Sequence, residues 1–196
     1  MGYLTLTPPC LGLDSLAGLD SRLSPMQILL RLLLVLFVLP LLAVAKPDEF
    51  SSATIGIGVV ASDLERSVAF YTDVVGMVPT GEFRIGEDFS KRSGLANGRP
   101  TQVKVLRLGE GPDATQWKLM TFGPAAEKQS LAHIYEKTGM RYITILVKDL
   151  TPILHRIKQH GVKLLGDTPV PLGADDHFIL IQDPDDTFIE LIGPLK

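Results

Sequence analysis

Apolar and polar positions along this chain follow two alternating periods, and the same succession of periods occurs twice. Ile55, Ile57 and Val59 alternate with Gly56, Gly58 and Val60, the period-two mark of a strand. Ser62 then stands three residues before Glu65, a capping-box spacing. Leu64, Val68, Tyr71 and Val75 recur at helical spacing, and Gly76 closes the helix. The pattern returns at Tyr142. Ile143, Ile145 and Val147 alternate with Tyr142, Thr144 and Leu146. Thr151 offers a cap with Pro152 in the first turn, and Leu150, Ile153, Leu154 and Ile157 form the next apolar stripe up to Gly161. Two copies of a strand–helix unit this far apart predict a paired fold rather than a solenoid.

Further strands are predicted at 77–85, 102–108 and 116–122 in the first copy. The second copy should have strands at 162–165, 177–182 and 187–192. Residues 86–99 read as a long polar loop, and 125–137 as a linker with helix formers that docks through Leu131, Ile134 and Tyr135. Both copies end on Gly-Pro, at Gly123-Pro124 and Gly193-Pro194. Each module therefore reads β-α-β-β-β, which makes the chain α+β. The modules span 53–123 and 140–194, joined by a linker at 124–139 and preceded by a short lead-in at 46–52. Between strand and helix, Ile57, Val59, Val68, Tyr71, Ile145, Leu154 and Leu191 should be buried.

The first 45 residues have a different character. Residues 1–25 carry several prolines and glycines without periodicity, and read as disordered or as untranslated leader, with Met26 as the start. From Met26, Arg31 precedes the apolar run Leu32–Leu42, and Ala43-Val44-Ala45 supplies small residues where a signal peptidase cuts. The run of about eleven residues is short for a span, which needs roughly twenty. Residues 26–45 are thus expected to be a signal peptide that exports the protein to the periplasm or the medium. An uncleaved membrane anchor is the rival reading of 27–45.

Charge narrows the partners. The 196 residues carry a formal net charge of −3 and no basic run, so nucleic acid is not an expected partner. The single cysteine, Cys10, excludes a disulfide framework.

The stretches VVASDLERSVAFYTDVVGM, ILVKDL followed by a helix and HGV, and IQDPDDTFIELIGP resemble the vicinal oxygen chelate superfamily. That superfamily includes glyoxalase I, bleomycin resistance proteins and extradiol dioxygenases. The resemblance covers residues 54–194 and implies two βαβββ modules whose curved sheets enclose a cleft, with helices outside. It also implies a small-molecule site, often with a divalent metal held from the first and last strands. Counting back from the helix starts and from the closing Gly-Pro pairs carries the ligand positions to Gly56, Tyr142, Met120 and Glu190. Only Glu190 is a hard-metal ligand, so no metal or other cofactor is expected.

Strand parity assigns Thr54, Gly56, Gly58, Gln116, Lys118, Met120, Tyr142, Thr144, Phe188 and Glu190 to the cleft. Glu190 is the candidate catalytic base, with a satisfied sheet-edge carboxylate as the bland alternative. Gln116, Lys118, Met120, Tyr142, Thr144 and, at the mouth, His177 are the candidate substrate-binding residues. Lys118 is expected to balance Glu190, directly or through a shared ligand. The acids Asp175, Asp176, Asp183, Asp185 and Asp186 read as solvated turn carboxylates, with calcium ligation as their rival reading. Three functions follow: an exported metal-independent binder of a small molecule, an enzyme (lyase, isomerase or dioxygenase) with a remodelled site, or an interaction domain with a filled cleft. A homodimer is compatible with all three.

Overall fold

The computed structural model describes residues 49–52, 54–111, 113–128 and 130–196. The leader and the 26–45 segment lie outside the described residues. Among the described residues no helix is long and apolar enough to cross a membrane.

Each copy of the sequence pattern builds one four-stranded mixed sheet. In the first, β1 (Gly56–Val60) runs parallel to β4 (Gln116–Thr121), followed by antiparallel β3 (Thr101–Arg107) and β2 (Val78–Ile85). In the second, β5 (Tyr142–Leu146) runs parallel to β8 (Phe188–Pro194), followed by antiparallel β7 (Asp176–Gln182) and β6 (Val170–Leu172). The two sheets are not closed into a barrel. This is the glyoxalase-like α+β fold that the motifs imply.

The crossover in the first module is α1 (Leu64–Ala69), which continues as a π-helical segment, Phe70–Val75. Its cap is Asp63, whose carboxylate accepts from the Arg66 backbone N–H at 3.1 Å, not Ser62. The wider π turn moves the buried set off a simple 3.6 stripe, to Phe70-Tyr71 and Val74-Val75. Gly76 stops the helix at φ 93°, a left-handed conformation. The second crossover is α3 (Thr151–Gln159), which buries Ile153 and Ile157.

Both helices pack on the same-sense face of their sheets and share one core. Tyr71, Val74, Trp117 and Leu119 of the first module join Ile145, Ile157, Ile189 and Leu191 of the second. Ile57, Val59, Val68 and Leu154 pack against it, partly buried. Ile55 is 66% exposed, because the alternating pattern starts one residue before the strand does.

Three other segments differ from the sequence expectation. The 86–99 loop contains a short helix, α2 (Glu87–Arg92), with acids in its first turn and bases in its last. Residues 162–165 form no strand; the edge strand lies at Val170–Leu172. The linker helix is reduced to a 3-10 turn, Ile134–Glu136. There Glu136 accepts from the backbone N–H groups of His133 and Ala132, closing a local turn. Leu131 docks, while Ile134 and Tyr135 stay exposed.

Candidate functional site

The faces turned away from the helices carry the candidate residues. On the first sheet, register places Gly56 beside Gln116, Gly58 beside Lys118 and Val60 beside Met120. The missing side chains of β1 leave room that β4 fills. A Cβ on Gly56 would stand 3.1 Å from Lys118 Nζ, and one on Gly58 would stand 3.0 Å from Met120 Cε. Lys118 thus leans back along the strand over Gly56, and Met120 lies over Gly58. The next strand continues the face with Val103 opposite Met120, Val105 opposite Lys118 and Arg107 opposite Gln116.

On the second sheet, Tyr142 pairs with Phe188 and Thr144 with Glu190. Thr144 Oγ1 donates to Glu190 Oε2 at 2.6 Å, so the carboxylate is held by its cross-strand neighbour. Tyr142 and Leu146 are 46% and 77% exposed, which leaves this face open to solvent.

Register corrects one carried-over ligand position. Lys118 stands opposite Gly58 as Glu190 stands opposite Thr144. The counterpart of Glu190 is therefore Lys118. Met120, opposite Val60, corresponds to Ile192, opposite Leu146. Counting back from the Gly-Pro ends failed because β8 runs through that pair to Pro194, whereas β4 stops at Thr121.

The structure brings Gln116, Lys118 and Met120 together on one face, and Tyr142, Thr144 and Glu190 on the other module's equivalent face. It does not bring His177 to them. His177 pairs with Gly193 and shares the helix-side face with Ile179 and Ile181; its Nδ1 is buried without a hydrogen-bond partner. The expected direct pair of Lys118 with Glu190 is not formed either: the ion pairs among the described residues lie elsewhere. Among the described residues, no three His, Cys, Asp or Glu side chains converge as a metal site.

A cavity of about 550 Å³ opens at the Val60–Met120 end of the first sheet. Leu95, Arg99, Phe122 and Ala125 line it with Val60 and Met120. The loop after α2 and the start of the linker form its walls.

The polar cluster that sequence reading missed lies where the modules meet. Asp183 is buried; it accepts from Tyr71 Oη at 2.7 Å and from the backbone N–H groups of Asp185 and Thr187 at 2.9 and 2.8 Å. Asp185 accepts from the Ser62 hydroxyl and, at 3.2 Å, from the Ser62 N–H. These acids are therefore structural partners rather than solvated turn carboxylates. Burial raises the Asp183 carboxyl above its ordinary range, against the opposing pull of the Tyr71 hydrogen bond. Burial, then the Asp183 charge, pushes the Tyr71 phenol well above its ordinary value. The DPDD turn was the only available signal, since an Asp there commonly accepts from the backbone two residues on.

With this geometry in hand, residues 54–191 match the Glyoxalase/Bleomycin resistance protein/Dioxygenase superfamily. The chain belongs to that superfamily. The lactoylglutathione lyase of Salmonella typhimurium is 27% identical over 131 residues, covering 66% of this chain and 84% of that enzyme. A glyoxalase family protein from Bacillus cereus superposes with a TM-score of 0.63 at 15% identity, over 77% of this chain and 100% of that one. Glyoxalase I of Leishmania major gives a TM-score of 0.52 at 20% identity, over 73% and 87% of the two chains. These two likenesses establish the fold.

The metal positions expected of the superfamily can now be assigned by register to Gly56, Lys118, Tyr142 and Glu190. Glycine offers no donor, and lysine brings a cation. Tyrosine brings a phenol with a proton to lose. Glu190 alone supplies an anionic oxygen, and this donor set does not fit a hard divalent cation.

Proposed function

We propose that this protein is an exported member of the superfamily that binds a small molecule on its open sheet faces without a divalent metal. The observation that carries the reading is the donor set itself: Gly56 and Lys118 occupy two of the four ligand positions, and the Lys118 ammonium leans over the first. A cation fixed there repels a metal ion. Export rests on Arg31, the Leu32–Leu42 run and the Ala43–Ala45 cleavage pattern. Elemental analysis of the purified full-length chain should find no stoichiometric zinc, nickel or manganese, and these ions should not raise its melting temperature. One metal per chain, lost on Glu190→Gln, would overturn the reading. N-terminal sequencing of the processed protein should begin at Lys46, whereas an intact leader in the membrane fraction would favour an anchor.

A second reading has one observation in its favour. Thr144 holds the Glu190 carboxylate at 2.6 Å, an arrangement that orients a general base. Under that reading the protein is an enzyme with a remodelled site, and the likeness to lactoylglutathione lyase names the first activity to assay. Turnover lost in Glu190→Gln, with the fold intact, would support it.

A further inference from the structure

The departure of Gly56 and Lys118 from the metal-binding pattern is coupled, and the coupling has a chemical consequence. An ideal Cβ on residue 56 would meet Lys118 Nζ at 3.1 Å and Cε at 3.3 Å. A ligand side chain at 56 and the present Lys118 conformation therefore exclude one another. The ammonium occupies the space from which a first-strand ligand would reach a metal.

The sheet face around Lys118 carries further positive charge and no acid, while Arg99 and Glu127 both line the cavity beyond it. Arg107 lies on the same face, opposite Gln116 on the strand on the other side of β4. Its Nε is buried and finds no hydrogen-bond acceptor in the protein. Register assigns no Asp or Glu to this face of the first sheet. Glu82 lies on the opposite face, where it pairs with Lys104. No ion pair involves Lys118, Arg107 or Arg99 among the described residues.

Apolar space adjoins the charge. Moving along the face from Gly56, Lys118 is followed by Met120 Cε over Gly58, then by Val60, and there the cavity lined by Leu95 and Phe122 opens. Four residues along a strand, from Gly56 to Val60, cover roughly 13 Å. A medium-chain acid spans that distance, with its carboxylate at the Lys118 ammonium and the end of its chain in the cavity.

We infer that the open face of the first module is an anion site, in which Lys118 binds the carboxylate of a medium-chain amphipathic acid whose chain runs over Met120 into the Val60–Met120–Phe122 cavity. The inference rests on the metal-free small-molecule reading above and gives it a ligand class. Lys118 takes the place of the metal as the positive charge, and it does so with a hydrated, flexible ammonium that recognises oxyanions. Gly56 is the residue that permits it.

The test is a titration of the full-length protein with octanoate, decanoate and 6-phenylhexanoate, and with 1-octanol as the uncharged control, read by calorimetry and melting temperature. At least one acid should bind at millimolar concentration or better, and more tightly than the alcohol by about tenfold, which corresponds to about 1.4 kcal/mol. Lys118→Met should weaken that acid by about tenfold or more and leave the alcohol unchanged. Gly56→Ala should also weaken the acid while leaving the fold intact, because its Cβ meets only the mobile end of Lys118. Circular dichroism of both variants checks that they fold. Acids and alcohol binding alike, with no dependence on Lys118, would overturn the anion site and leave small-molecule binding standing. No binding by any of the three acids would overturn the anion site as well. Stoichiometric metal uptake would instead overturn the reading on which it rests.

Discussion

Asp183 is a buried carboxyl whose protonation bears on the stability of this fold. It sits in the shared polar seam, accepting from Tyr71 and from two backbone N–H groups. Burial is the largest influence on it and raises its folded-state pKa above the unfolded value of about 3.9. The folded chain then holds this proton more tightly than the unfolded chain. Its contribution to stability is complete below the unfolded pKa and is lost as pH rises through the folded one. Asp183→Asn removes that titration. The wild-type-minus-variant difference in unfolding free energy, from urea melts at a series of pH values, should fall from about pH 4 upward and then level off. A difference that rises over the same range would mean that the three hydrogen bonds outweigh burial. Tyr71→Phe leaves Asp183 one donor short in a dry place and should cost about 1–3 kcal/mol in the same melts.

The first crossover helix depends on its ending. Two backbone N–H groups, of Gly76 and Met77, both return to the Tyr71 carbonyl, at 3.1 and 2.8 Å. Arg156 of α3 satisfies two further carbonyls: its Nε donates to Val74 at 3.0 Å and its Nη2 to Val75 at 3.3 Å. Gly76 makes this possible by adopting φ 93° and by leaving space, since a Cβ there would lie 3.1 Å from Arg156 Nη2. Gly76→Ala should therefore cost at least the left-handed penalty of about 1–2 kcal/mol, measured by denaturant unfolding. A loss near zero would show that the helix end can be rebuilt without the glycine. In the strand layer, Leu191 is fully buried between β8 and the helices, and Leu191→Ala should cost about 2–5 kcal/mol.

At the scale of the whole molecule, one core joins the two modules. Trp117 and Leu119 belong to the same cluster as Ile189 and Leu191, and Asp185 of the second module bonds Ser62 of the first. Neither module has a separate core to fall back on, so calorimetry should record a single cooperative transition for residues 50–196. Two resolved transitions would contradict a shared core. Asp185→Ala, which leaves Ser62 N–H and hydroxyl unpaired at the seam, should lower that transition without splitting it.

Much of this was legible from local pattern. Alternation at Ile57 and Val59, and at Ile143 and Ile145, gave strand faces that the structure keeps. The doubled strand–helix pattern gave two modules. Such signals survive because each reports one face of one element, and burial of that face is a property of the segment itself. Parity likewise put Lys118 and Glu190 on the faces turned away from the helices. What the tertiary structure alone decided was which segments meet. Ser62 read as a helix cap, yet its partner is Asp185, 123 residues away. The counterpart of Glu190 is Lys118 rather than Met120, because register across β1 and β4 overrides counting from a shared chain ending. Lys118 leans over Gly56 and not toward Glu190, because the nearest free volume is the one a glycine on the neighbouring strand leaves. A single sequence records the period of each strand, but the space beside a side chain is made by another strand, and it exists only once the two are paired.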